Sequence, residues 1–81
     1  MFYTYVLKSR VDKKLYVGWT NNLISRLKKH NNKQVDATKF RVPFDLIYYE
    51  ACNNKEDAVR REKQLKTGFG RAYLKRRIRN I

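Results

Sequence analysis

Five side chains in this chain have the types and spacing for phosphate and proton chemistry: Tyr5, Tyr16, Arg26, His30 and Glu62. Glu62 is the most telling. At about 100° per residue, Ala58, Val59, Leu65 and Phe69 fall on one side of a helix, and Glu62 projects into the middle of that stripe. A carboxylate aimed at apolar surface must be paired, protonated or bound to metal. It is also the only acid after residue 57, among nine Lys and Arg from Arg60 to Arg79. Two readings follow. One is an ion pair with such a cation, for instance Lys66 one turn on. The other is a ligand for Mg²⁺ (or Mn²⁺), which takes one or two carboxylates and completes its shell with water and substrate phosphate.

Arg26 and His30 stand at i and i+4 on a second helical stretch, on the border of the stripe formed by Leu23, Ile24 and Leu27. Arg26 is either part of a solvated cationic edge or a phosphate clamp, since a guanidinium forks onto two phosphate oxygens. His30 is a proton donor or acceptor, a phosphate contact, or a residue of the helix's last turn. Tyr5 and Tyr16 lie on two candidate strands. They are sheet aromatics, or they share a face and line a site; an even loop of Arg10 to Lys13 gives the second result. That register pairs Val6 with Val17 and Ser9 with Lys14. It places Phe2, Val6, Leu15, Val17 and Trp19 on one face and Tyr3, Tyr5, Leu7, Tyr16 and Gly18 on the other. Gly18 then sits beside Tyr16, where a missing side chain lets a ligand or backbone approach.

The elements that must position these groups follow from the pattern. Phe2 to Leu7 and Leu15 to Thr20 are dense in aromatic and β-branched residues and read as an antiparallel hairpin. Asn21 or Asn22 caps a helix over roughly Leu23 to Asn31. Residues 31 to 43 are a polar loop ending at Pro43, and Phe44 to Ala51 is a third strand. Asn53 and Glu56 have the form of a capping box for a helix running to about Thr67, with Gly68 as its C′ residue. Leu74 and Ile78 mark a last helix over Arg71 to Asn80. The fold class is α+β: a three-stranded antiparallel sheet flanked by helices, in the order ββαβαα, in one domain over 1–81.

The chain has 81 residues and a net charge of +13, from 20 Lys and Arg against 7 Asp and Glu. A domain of this size has one modest core. Its charge far exceeds what solubility needs and points to a polyanion, with nucleic acid first. Six Tyr, four Phe and one Trp argue against a disordered basic tail. No apolar run reaches membrane-span length, and no helix pairs a broad apolar face with a basic one, so no membrane partner is expected. One cysteine and one histidine exclude an internal disulfide and a Cys/His zinc site. A cytoplasmic location follows from these exclusions, while oligomeric state is left open.

Taken in order, the motifs resemble the GIY-YIG nuclease superfamily. Tyr-Thr-Tyr at 3–5 is similar to a diverged first motif, and Tyr-Val-Gly at 16–18 to the second. Arg26 follows Tyr16 by ten and His30 follows Arg26 by four, as on the family's helix, and Glu62 falls where the family keeps its metal-binding glutamate. The resemblance covers nearly the whole chain. It is nearest to small stand-alone bacterial members similar to the nuclease module of the excision-repair incision subunit, through Gly18-Trp19-Thr20-Asn21-Asn22-Leu23, the Arg-Glu-Lys-Gln-Leu-Lys segment at 61–66 and the basic tail after Gly68. The first motif has lost its glycine and isoleucine, and the late asparagine of some homing-type members has no counterpart. The resemblance implies a metal-dependent endonuclease acting on nucleic acid, DNA before RNA, that selects structure over sequence. Glu62 would hold the metal, Arg26 would neutralise phosphate charge, and Tyr16 would act as base or position the nucleophile. Tyr5 would orient the attacking water, His30 would assist proton transfer, and Gly18 would leave space for the phosphate. Lys28, Lys29, Lys63, Lys66, Arg71, Lys75, Arg76 and Arg77 would grip the backbone. A basic module that binds nucleic acid without cutting it is the alternative.

Overall fold

A computed structural model describes residues 1–79. The elements run β1 (Phe2–Ser9), β2 (Leu15–Thr20), α1 (Leu23–Asn31), β3 (Phe44–Cys52), α2 (Lys55–Leu65) and α3 (Gly68–Arg77). The sheet is antiparallel with β1 in the centre, in the order β2-β1-β3. The α+β class and the ββαβαα order are as the sequence predicts.

The hairpin register is the one an even loop requires. Val6 faces Val17, Tyr5 faces Gly18 and Leu7 faces Tyr16. The Ser9 N–H donates to the Lys14 carbonyl at 3.0 Å. Lys13 takes the left-handed conformation (φ 62°) that closes this tight loop. Alternation then sends two sets of side chains to opposite faces. Val6 and Val17 pack with Leu65 of α2 and Leu74 of α3. Tyr5, Leu7 and Phe44 pack with Tyr16 and with Leu23 and Leu27 of α1. The sheet is thus covered by α2 and α3 on one face and by α1 on the other. Against β3, Val6 faces Tyr48 while Leu7 faces Leu46, so Ile47 is the extra residue of a bulge.

Several local expectations change. The cap of α2 is Asn54, whose side chain accepts from the N–H groups of Glu56 and Asp57, one residue beyond the Asn53 of the predicted capping box. The helix ends at Leu65, and Gly68 is no C′ residue, because Thr67 caps a new helix that starts there. The glycine that matters is Gly70. A Cβ on it would run into the backbone of Gln64 and Leu65, so only glycine lets α3 cross α2 this closely. That corner carries Phe69 out of the apolar stripe to 91% exposure, and Ile24 of α1 is likewise 74% exposed. The last helix starts at Gly68 and closes at Arg77, three residues early at each end; the predicted terminus, Asn80, lies outside the described residues.

Candidate active site

Strand β1 points Tyr5 under α1, because odd positions of β1 face that helix. Helix α1 returns Arg26 and His30 to the same spot, because residues four apart share a face. The Asn22 side chain fixes where α1 begins by accepting the Ser25 N–H at 3.1 Å. The result is a chain of hydrogen bonds, buried from Tyr5 to Thr38. Arg26 Nε donates to Tyr5 Oη at 3.3 Å. Tyr5 Oη lies 2.8 Å from His30 Nε2, and His30 Nδ1 lies 2.8 Å from Thr38 Oγ1. Tyr5 is 2% exposed, His30 0% and Thr38 1%. The Tyr16 ring packs edge-on against His30, with centroids 5.1 Å apart. Phe44 closes another side of the imidazole at 6.0 Å.

These surroundings set the protonation states. Burial, with the positive charge of Arg26 adding to it, pulls His30 down to about 4, so the imidazole is neutral at physiological pH. Burial raises Tyr5 above the usual phenol range; the hydrogen bond and charge of Arg26 oppose this, and Tyr16 and Glu62 add to the rise. The Tyr5 proton therefore stays on Tyr5.

The His30 shift carries a stability prediction. In the unfolded chain histidine titrates at about 6.5. Between there and about pH 4 the unfolded chain takes up a proton that the folded chain refuses. The contribution is complete above the unfolded value and is lost as pH falls through the window, by about 3 kcal/mol. Denaturant midpoints measured from about pH 7 to about pH 4 should fall accordingly, and His30→Gln should flatten the slope. An unchanged slope in that variant assigns the acid sensitivity elsewhere.

The structure brings Tyr5, Tyr16, Arg26 and His30 together under α1, whereas α2, which carries Glu62, covers the opposite face of the sheet; the Glu62 charge makes only the last contribution to the rise of Tyr5. Glu62 lies on α2, with its side chain 19% exposed, and its ion pair with Lys66 Nζ is loose at 3.7 Å. The lysine partner of the first reading is thus present, at the long end of an ion-pair distance. Among the described residues no three His, Cys, Asp or Glu side chains gather into a cage. A single, partly exposed carboxylate suits Mg²⁺, which keeps several waters and takes its other ligands from substrate phosphate.

Two placements differ from expectation. The room left by Gly18 is filled by the Tyr5 ring: a Cβ on Gly18 would lie 2.5 Å from Tyr5 Oη, so the glycine admits the tyrosine and leaves no space there for a phosphate. His30 is sealed from solvent, which removes its reading as a phosphate contact. The eight cations are all exposed but do not share one face. Lys28 and Lys29 ride on α1, whereas Lys63 and Lys66 on α2 and Arg71, Lys75, Arg76 and Arg77 on α3 lie in the other layer. Beside Arg26 a groove of about 480 Å³ runs between Phe2, Trp19, Asn21, Lys29 and Lys55. Sequence reasoning missed Lys55, which sits 5.3 Å over the Trp19 ring, and Thr38. Nothing in the spacing of Thr38 marks it, because it comes from the long loop before β3.

The GIY-YIG catalytic domain matches residues 1–79. The chain belongs to the GIY-YIG family. Membership implies nuclease activity and a nucleic-acid substrate, as the sequence motifs had indicated. The chain is 46% identical over 67 residues to a UPF0213 protein of Clostridium perfringens, covering 82% of this chain and 71% of that one. It is 41% identical over 74 residues to a UPF0213 protein of Staphylococcus haemolyticus, covering 90% and 89%. The solution NMR structure of a UPF0213 protein from Bacillus halodurans matches the fold of this GIY-YIG domain with a TM-score of 0.55 at 33% identity. It covers 91% of this chain and 82% of that one. Among the described residues of this family member, no helix is long and apolar enough to cross a membrane.

Proposed function

We propose that residues 1–81 form a single Mg²⁺-dependent endonuclease domain that hydrolyses phosphodiester bonds in DNA, selecting strand structure over base sequence, in the cytoplasm. The observation that carries this reading is the convergence on the Tyr5 hydroxyl of the Arg26 guanidinium and the neutral His30 imidazole, both from α1, with the Glu62 carboxylate of α2 adding to the rise of the phenol. A domain that only binds nucleic acid has no use for a half-buried carboxylate beside a cationic site, since it weakens affinity for a polyanion.

Glu62 would hold the Mg²⁺ (or Mn²⁺), which when bound stabilises negative charge on the scissile phosphate and on the leaving oxygen. Arg26 spends its Nε–H on Tyr5 and keeps its terminal N–H groups for the phosphate oxygens. Tyr5 is buried and engaged by two partners, so its task is to aim Arg26 and hold a proton between Arg26 and His30. Tyr16 is half-buried, and its hydroxyl has no hydrogen-bond partner among the described residues, so it takes over the orienting of the attacking water. His30 accepts from Tyr5 and keeps the phenol fixed. The exposed cations supply affinity through phosphate contacts that carry no base information.

The test is incubation with labelled flap, branched, single-stranded and duplex DNA and their RNA counterparts, with and without Mg²⁺. Metal-dependent cutting, strongest on branched DNA, is the expected outcome. Tight binding with no cutting of any substrate would replace this reading with the basic binding module. Affinity should also depend steeply on salt. With roughly five phosphates contacted, the log–log slope on duplex DNA should be about −4 to −5 and shallower on single strands. A slope near zero assigns the +13 charge to another purpose.

A further inference from the structure

We propose that Thr38 is a positioning residue of the active site: its hydroxyl locks His30 in the Nδ1–H tautomer, so that the bare Nε2 is always turned to the Tyr5 hydroxyl. Tyr5 Oη receives the Arg26 Nε–H, so its own proton must find another acceptor. Among the described residues the one other group in reach is His30 Nε2, at 2.8 Å. If Nε2 carried the proton instead, Tyr5 would accept twice and its O–H would be a buried donor with no partner, which is costly.

With Nε2 bare, the neutral ring must carry its proton on Nδ1, which then donates to Thr38 Oγ1 at 2.8 Å. Thr38 is free to accept because its own hydroxyl proton goes to the Val35 carbonyl at 3.4 Å. Every proton from Arg26 to Val35 then runs in one direction. Reversing the Tyr5–His30 link strands the buried Tyr5 hydroxyl proton.

The loop that delivers Thr38 is held for this task. The Thr38 N–H donates to Val35 O at 3.1 Å, and the Thr38 carbonyl accepts from the Arg41 N–H at 2.9 Å. Arg41 is in turn tied to the hairpin, by an ion pair with Asp12 at 2.7 Å and by accepting the Ser9 hydroxyl at 2.6 Å through its carbonyl. The β1–β2 turn thereby fixes a side chain on the far side of the imidazole from the reacting groups.

The proposed consequence for rate rests on the nuclease reading, whereas the tautomer itself does not, and the test separates the two. His30 is the only histidine in the chain, so the ¹⁵N spectrum of the histidine-labelled protein reports this imidazole alone. At neutral pH the parent protein should show the proton on Nδ1. Thr38→Val, nearly equal in volume but without the hydroxyl, should shift the ring toward the Nε2–H form. Thr38→Ser should restore Nδ1–H. With a cleaved substrate, kcat of Thr38→Val should fall about tenfold with KM little changed, the lower end of what loss of a supporting partner costs a metal-ligand histidine, and Thr38→Ser should recover most of the rate. A parent protein with the proton on Nε2 overturns the proposal without any variant. So does a Thr38→Val protein that keeps both the tautomer and the rate. If the tautomer shifts as expected while no nucleic acid is ever cut, the Thr38 inference stands and the nuclease reading falls.

Discussion

Glu62→Gln should abolish cleavage and Mg²⁺ binding while leaving the melting temperature within several degrees of the parent. The amide keeps the shape of the side chain and its capacity to accept hydrogen bonds, but it loses the charge that holds a hard divalent cation. The small thermal effect follows from the geometry of its ion pair. Lys66 is more than half exposed and its Nζ stands 3.7 Å away, so the pair is of the kind that contributes less than about 1 kcal/mol. For a domain of this size that corresponds to at most about 4–8 °C. Relief of a half-buried negative charge works in the opposite direction. Breaking a truly buried pair would cost about 3–5 kcal/mol. Affinity for nucleic acid, measured without metal, should hold or rise, because a negative charge leaves a cationic surface. A large drop in melting temperature with cleavage retained would make Glu62 a structural residue and remove the metal assignment.

The sheet and its register were legible because their signals are local. The runs Phe2 to Leu7 and Leu15 to Thr20 mark the strands; of the even and odd loops that could join them, the even one gathers Tyr3, Tyr5 and Tyr16 on a single face, and Val6 does face Val17. Helix α1 was equally clear, since its cap and its polar end bracket it. The errors share one physical cause: they lie where tertiary packing overrides a local pattern. Phe69 continues the helical stripe of α2 on paper, yet Gly70 turns the chain and takes Phe69 into solvent. Gly18 reads as room for a ligand, yet the neighbouring strand supplies Tyr5 to fill it. The motif spacing singled out Tyr5, Tyr16, Arg26, His30 and Glu62. Only the fold says how four of them meet, and that His30 is sealed rather than offered to a substrate. Thr38 had no signal at all. Its role depends on a loop whose path is set by Ser9, Asp12 and Arg41, residues that read as ordinary turn and surface positions.

Arg26→Ala should cut the rate of cleavage by on the order of a hundredfold or more while binding weakens only slightly. The two effects separate because Arg26 is one cation among 20 for binding but the only one tied to Tyr5 for catalysis. Losing one of roughly five phosphate contacts lowers the salt slope by at most about 1, whereas losing a preorganised donor at developing charge costs the full transition-state interaction. Arg26→Lys should recover little. An ammonium is a single point of charge and lacks the sideways Nε–H that Tyr5 accepts, so it cannot hold the tyrosine and fork onto a phosphate together. The same variants carry a second readout that needs no substrate. The charge of Arg26 is one of the two causes that hold His30 low, so Arg26→Ala should move the imidazole titration upward, while Arg26→Lys, still cationic, should move it less. If rate and affinity instead fall together by the same small factor and the His30 titration stays in place, Arg26 belongs to the solvated cationic edge and the convergence on Tyr5 has no part in catalysis.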